Sequence, residues 1–151
     1  MKQSKTVQIS SILPALPHDI WQKLQRLDTL QYIAAPYATF TPLQNEGPVW
    51  QVGATSRFTL KIFGFLLMGV HSIYVKTFDP ALLRVDTQES NPSVPVWNHR
   101  IVLEDLDGGS THYTDQVEIQ AGWKTIFVYW WSCLFYRHRQ KKWLKLLQRD
   151  K

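Results

Sequence analysis

The sequence predicts an α+β protein: a curved antiparallel sheet of about six or seven strands wrapped around one long C-terminal helix, with two short helices after the first strand. Three observations predict it. Apolar residues recur with a period near two in five stretches between residues 54 and 120, as half-buried antiparallel strands require. Trp123 to about Arg149 contains neither Gly nor Pro and reads as one helix of about 27 residues, roughly 40 Å long. The 151 residues, 44% hydrophobic, suffice for one domain with a real core but not for two, so a single domain over 1–151 is expected.

Thr6–Leu13 is the first strand, with Val7, Ile9 and Ser11 alternating against Gln8, Ser10 and Ile12 and with Pro14 beyond it. Pro17-His18-Asp19 opens a helix to about Arg26, carrying Ile20, Trp21, Leu24 and Leu27 at helical spacing and an acid in the first turn. Asp28–Ala35 forms a second short helix, closed before Pro36, because a residue preceding proline avoids the helical region. Tyr37–Phe40 is a further candidate strand.

The five strands that follow are Ala54–Ile62, Val70–Phe78, Leu82–Gln88, Val96–Glu104 and Ser110–Gln120. Parity gives each a covered row: Phe58, Leu60 and Ile62; His71, Ile73 and Val75; Leu83, Val85 and Thr87; Trp97, His99 and Ile101; Tyr113, Asp115, Val117 and Ile119. Asp107-Gly108-Gly109 marks one hairpin turn and Gly64…Gly69 brackets another. The first half of the terminal helix carries Trp123, Ile126, Phe127, Trp130, Trp131 and Leu134, of which Trp123, Trp130 and Trp131 are expected as its gripping face.

Charge and composition remove several classes of function. The formal net charge is +5, and residues 137–151 alone hold seven Lys/Arg and one acid, a net +6. The other 136 residues carry ten basic and eleven acidic side chains, a net −1, so the basic face of a nucleic-acid binder is missing. One cysteine, Cys133, excludes an intramolecular disulfide and a Cys-based zinc knuckle; it reads as a packed thiol. The uncharged run Thr125–Tyr136 is twelve residues, short of the ~20 a membrane span needs. Met1–Pro17 lacks the apolar stretch of a signal peptide, so a cytoplasmic location is expected.

Several segments carry a family likeness: Pro17-His18-Asp19-Ile20-Trp21, Trp50…Gly53, Trp97-Asn98-His99-Arg100, Thr111-His112-Tyr113-Thr114-Asp115 and Phe135-Tyr136-Arg137-His138-Arg139. With the order of elements, they make the whole chain resemble the START/polyketide-cyclase-like superfamily (SRPBCC, the helix-grip fold). The resemblance implies a cavity between sheet and helix. Its known roles run from lipid carriage to cyclase and dehydratase chemistry, and fold alone does not choose among them.

His99 and Asp115 are the sharpest candidates within that cavity. A five-residue connection would set them opposite each other, whereas a three-residue loop makes them diagonal neighbours still within side-chain reach. A carboxylate on a covered face needs a partner, and His99 is the obvious one. The pair suits acid–base catalysis or ligand orientation, and equally a structural role satisfying buried water or the helix. His71 also points inward, one strand farther away, at a distance that suits a shared ligand better than a shared metal. No metal or cofactor is expected.

The expected function is therefore binding of a hydrophobic small molecule or lipid. The walls would be Phe58, Leu60, Ile73, Val85, Trp97, Ile101, Val117, Phe127, Trp130 and Leu134, and the polar contacts His71, His99, Tyr113 and Asp115. The alternative is a cyclase, dehydratase or isomerase using His99–Asp115 on a polyketide-like or aromatic substrate. Phe65, Leu66, Leu67 and Met68 at a hairpin tip, together with the basic terminal helix, offer peripheral membrane contact; a tip folded back on the helix and a merely solvated helix end are the competing readings.

Overall fold

The computed structural model describes residues 4–150. Lys2 and Gln3 of the amino-terminal stretch, and Lys151 of the basic tail, lie outside the described residues. The elements run β1 (Lys5–Leu13), α1 (Pro17–Leu24), α2 (Leu27–Ala34), β2 (Ala38–Pro42), β3 (Thr55–Ile62), β4 (Leu66–Asp79), β5 (Arg84–Ser90), β6 (Val96–Asp105), β7 (Thr111–Gln120) and α3 (Thr125–Arg149). One seven-stranded antiparallel sheet has the order β1-β7-β6-β5-β4-β3-β2. β2 to β7 form a meander, and β1 returns to pair with β7. The two edge strands, β1 and β2, are thus joined in sequence by the α1–α2 pair.

Local chemistry accounts for the boundaries. Pro17, with its missing N–H and fixed φ, starts α1. The helix stops at Leu24, short of Arg26, because Arg26 turns extended and bridges Val49, while the Leu27 N–H donates to the Pro48 carbonyl. This contact ties the long β2–β3 loop to the α1–α2 junction. Register shifts between Thr59 and Lys61 and between Val75 and Thr77 bend and twist β3 and β4, as bulges do. A sheet curved in this way can wrap a helix. At the β6–β7 turn, Asp107, Gly108 and Gly109 all have positive φ, which glycine adopts at no steric cost.

That turn has three residues, with the Leu106 N–H donating to the Ser110 carbonyl. His99 therefore lies opposite Val117 and Ile101 opposite Asp115. The direct His99–Asp115 pairing of a five-residue connection does not occur; the two are diagonal neighbours.

α3 packs against β1, β7 and α2. The side chains it buries are Thr125, Ser132, Phe135, Tyr136, Arg139, Gln140, Trp143, Leu146 and Leu147. This corrects the expected gripping face. Trp123, Phe127, Trp130 and Leu134 point to solvent, because a straight helix has one phase and theirs matches Arg137, Lys141 and Lys145 rather than Trp143, Leu146 and Leu147. The core falls into two clusters. One, around Phe58, Trp97, Val117, Phe135 and Tyr136, lies under the first half of α3. The other joins α1 to Tyr113, Trp143 and Leu147.

Candidate functional site

Four successive strands each contribute one polar side chain to the covered face: His71 from β4, Glu89 from β5, His99 from β6 and Asp115 from β7. They form an oblique row across the sheet. His71 Nε2 lies 2.8 Å from Glu89 Oε1, His99 Nδ1 lies 3.8 Å from Glu89 Oε2, and His99 Nε2 lies 2.7 Å from Asp115 Oδ1. Each member sits two positions from its neighbour's direct partner: Ile73 faces Glu89, Trp97 faces Glu89, and Ile101 faces Asp115. A row of this slant needs four in-phase inward positions on adjacent strands, which the alternation supplies.

The ends of the row fix its protons. The Asn91 side-chain oxygen accepts from the backbone N–H groups of Ser93 and Val94, so its amide nitrogen faces His71 Nδ1 at 3.0 Å. His71 Nδ1 is then the acceptor, and Nε2 carries the proton donated to Glu89. Glu89 Oε2 accepts from the Thr87 hydroxyl at 2.7 Å. At the other end Asp115 is fully buried; Oδ2 accepts from the Gln140 amide at 3.1 Å, and that amide also donates to the Ile9 carbonyl at 2.7 Å. The Ser11 hydroxyl donates to Gln140 Oε1. Gln140 thereby clamps α3 to β1 and to the row at once.

Donors thus hold Glu89 ionised. Burial favours the neutral acid at Glu89, but the hydrogen bond from His71 and the nearby His99 ring outweigh it and hold the carboxyl far below the usual range. Burial likewise opposes charge on His99, yet Asp115 and Glu89 raise its pKa above the ordinary value. Burial pushes the Tyr113 and Tyr136 hydroxyls well up, so both stay protonated.

Above the row lies a cavity of about 70 Å³ between the sheet and α3, closed on its far side by α1 and α2. Apolar side chains from Leu24, Ile33, Phe40, Ile73 and Ile101 make most of its wall. Leu30, Trp50 and Phe78 also line it and are only partly buried, marking where it nears the surface. Of the expected lining, Leu60, His71, Ile73, Val85, Trp97, His99 and Ile101 border this cavity. Phe58, Tyr113 and Val117 are buried but do not border it: Phe58 sits behind Phe40 and Trp50, and Tyr113 packs on Trp143. Asp115 stands behind His99, against Gln140. Phe127, Trp130 and Leu134 lie on the outer face of α3, away from it.

Sequence reasoning missed Glu89 and Arg139. Glu89 is in phase with Val85 and Thr87, one step beyond the expected end of its strand, so parity carried two residues further finds it. Arg139 reads as part of the basic tail. In the structure its side chain is turned inward, 5% exposed, lining the cavity with its guanidinium over the rings of Phe135 and Tyr136 at 5.6 and 5.1 Å. Burial opposes its charge; Asp115, Tyr113 and Tyr136 offset this and keep it fully protonated. Its Nε has no hydrogen-bond partner. Neither has Trp131 Nε1, the other unpaired buried atom of the cavity lining. Both are donors. Among the described residues no group of three or more His, Cys, Asp or Glu side chains is arranged to hold a metal.

The element order, the curved sheet and the enclosed helix have clear counterparts among solved structures. A START superfamily protein from Mycobacterium smegmatis superimposes with a TM-score of 0.74 at 16% identity, covering 97% of this chain and 99% of that one. This is the START-like helix-grip fold. Norcoclaurine synthase from Thalictrum flavum, in complex with dopamine and hydroxybenzaldehyde, matches with a TM-score of 0.70 at 13% identity over 99% of this chain and 90% of that one. Ara h 8.0201 matches with a TM-score of 0.63 at 16% identity, over 95% and 99%. No family model and no curated protein matches the sequence. At these identities the likeness establishes the helix-grip fold, and the chemistry of the site has to be argued from its own residues.

Proposed function

We propose that this helix-grip protein binds a compact hydrophobic molecule bearing one hydrogen-bond-accepting head group, a carboxylate or carbonyl, in the cavity between sheet and α3. The observation that carries the reading is Arg139. A guanidinium buried in an apolar wall without an ion pair is costly, and here the unpaired buried donors of the lining meet no acceptor. An acceptor brought by the ligand would satisfy them. A planar carboxylate matches the guanidinium fork best.

The cavity's 70 Å³ is far below the roughly 300–1,000 Å³ of sites for drug-sized ligands. Binding therefore requires a small ligand, or outward movement of Leu30, Trp50 and Phe78, which stand on α2, the β2–β3 loop and β4 at its edge. One neighbour bearing this fold supports ligand binding: norcoclaurine synthase forms a complex with dopamine and hydroxybenzaldehyde. An apolar ligand would be loaded most readily at a membrane, and the Phe65–Met68 tip with the basic terminal helix would favour such contact.

A second reading is acid–base catalysis through His99–Asp115. It is favoured by one feature: His99 Nδ1 stands 3.8 Å from Glu89, beyond hydrogen-bond distance and open to a ligand atom. Against it, His99 Nε2 is engaged by Asp115 and the ring is held protonated, which suits a proton donor better than a base.

Calorimetric titration with 2-naphthoate at pH 7 tests the reading. Saturable binding that Arg139→Met weakens about tenfold or more, while the variant keeps its melting temperature, is the expected result. Equal affinity of both proteins, or binding by neither, overturns it.

A further inference from the structure

We infer that the outer face of α3 docks on an anionic lipid bilayer. Its exposed residues form one stripe at three- and four-residue spacing: Trp123 in the turn that leads into the helix, then Phe127, Trp130, Leu134, Arg137, Lys141 and Lys145. The first four are large and apolar, with Trp123 81% and Trp130 64% exposed. The last three are cationic. From Trp123 to Arg149 the sequence contains no acidic residue. A monomer rarely leaves apolar area of this extent in water without a partner for it.

The β3–β4 hairpin enlarges the apolar end. Phe63, Phe65, Leu66 and Leu67 are exposed, Phe65 by 80%. Leu66 and Met68 share a small cleft with Val128 and Trp131 of α3, so the tip stands beside the first half of the helix. Leu66–Gly69 belong to β4 and do not fold over the stripe. Tip and stripe together give one surface: aromatic and aliphatic at one end, basic at the other.

Charge selects the occupant. A second copy packing antiparallel would set each tryptophan-bearing half against the other copy's Arg137, Lys141 and Lys145; packing parallel would oppose like charges along the seam. Neither supplies an anion for the cations. An anionic bilayer meets both halves, because the interface accepts Trp, Phe and Leu at the depth of the headgroup–acyl boundary while the cations rest on lipid phosphates. Among the described residues no helix is long and apolar enough to cross a membrane, so the contact lies in the plane of the surface. The inference stands apart from the cavity reading, since none of the stripe residues borders the cavity.

Co-sedimentation of the full chain with phosphatidylcholine vesicles, with and without about 30% phosphatidylglycerol, tests it, with analytical ultracentrifugation alongside. Binding is expected to vesicles containing phosphatidylglycerol, weakening as salt is raised. The pairs Phe127→Ser with Trp130→Ser, and Lys141→Glu with Lys145→Glu, should each lower the partition coefficient about tenfold or more. Both pairs should keep the wild-type melting temperature and 2-naphthoate affinity, which separates this surface from the cavity. Equal or absent binding to the two vesicle types, or partitioning that the serine pair leaves unchanged, overturns the inference. So does a concentration-dependent dimer that the serine pair dissolves, which would make a second copy the occupant.

Discussion

The two faces of α3 invert the usual arrangement of a surface helix. The inner face carries Ser132, Arg139 and Gln140 among its buried residues, while the outer face of the first half carries Phe127, Trp130 and Leu134. With Val128, Trp131, Phe135 and Tyr136 on the inner side as well, hydrophobicity alone would not choose the face of this half. Three anchors choose it: Trp143, Leu146 and Leu147 fix the phase from the far end, Gln140 bridges β1 and Asp115, and the Tyr136 hydroxyl accepts from Trp97 Nε1 at 2.9 Å. The comparison teaches that the polar row sets which face turns inward, and that the exposed apolar stripe is what remains.

The largest expected effect sets two tryptophans of this one helix against each other. Trp143 is fully buried, so Trp143→Ala should cost about 3–5 kcal/mol in urea unfolding. Trp130→Ala should change stability by about 0.5 kcal/mol or less. Similar costs at both positions would break the comparison.

Asp115→Ala removes the partner of a protonated histidine and of Gln140 in a fully buried setting. It should cost about 3–5 kcal/mol, measured by the same unfolding curves. Arg139→Met, by contrast, removes a charge that has no direct partner and should be neutral or slightly stabilising, by about 1 kcal/mol at most. A loss at Arg139 as large as at Asp115 would mean the guanidinium serves the fold rather than the cavity.

The pH dependence sharpens the picture of the row. Glu89 titrates lower in the folded chain than its ordinary 4.5, so its contribution is present above that pH and lost as pH falls toward the depressed value. His99 titrates above its ordinary 6.5, so its contribution is complete below that pH and lost as pH rises through the raised value. Stability should therefore be greatest between about pH 4.5 and 6.5. His99→Gln should flatten the decline above pH 6.5. An unchanged alkaline slope in that variant would assign the decline to other groups.

The strands were legible because period two places Phe58, Leu60, His71, Ile73, His99 and Asp115 on one face whatever the register. Register was less legible: the two loop lengths allowed by Asp107-Gly108-Gly109 differ by two positions, and only the backbone geometry of the turn decides between them. The helix face was misjudged because its first half is apolar nearly all round, from Trp123 to Leu134, and gives no phase. Its second half does, with Trp143, Leu146 and Leu147 opposite Arg137, Lys141 and Lys145, and carrying that phase backward turns the earlier tryptophans outward. Arg139 stayed hidden because a basic residue in a basic tail is ordinarily solvated, and only its placement one residue before Gln140 and four before Trp143 puts it inside.

The most direct test of the cavity reading is the Arg139 Nε–H resonance in a ¹H–¹⁵N spectrum, assigned by its loss in Arg139→Met and followed during 2-naphthoate addition. A downfield shift that saturates with the calorimetric binding curve, as an unpaired donor gains a carboxylate, is the predicted result. A resonance that stays in place while 2-naphthoate saturates the protein would contradict the account, leaving Arg139 as a buried charge with no part in holding a ligand.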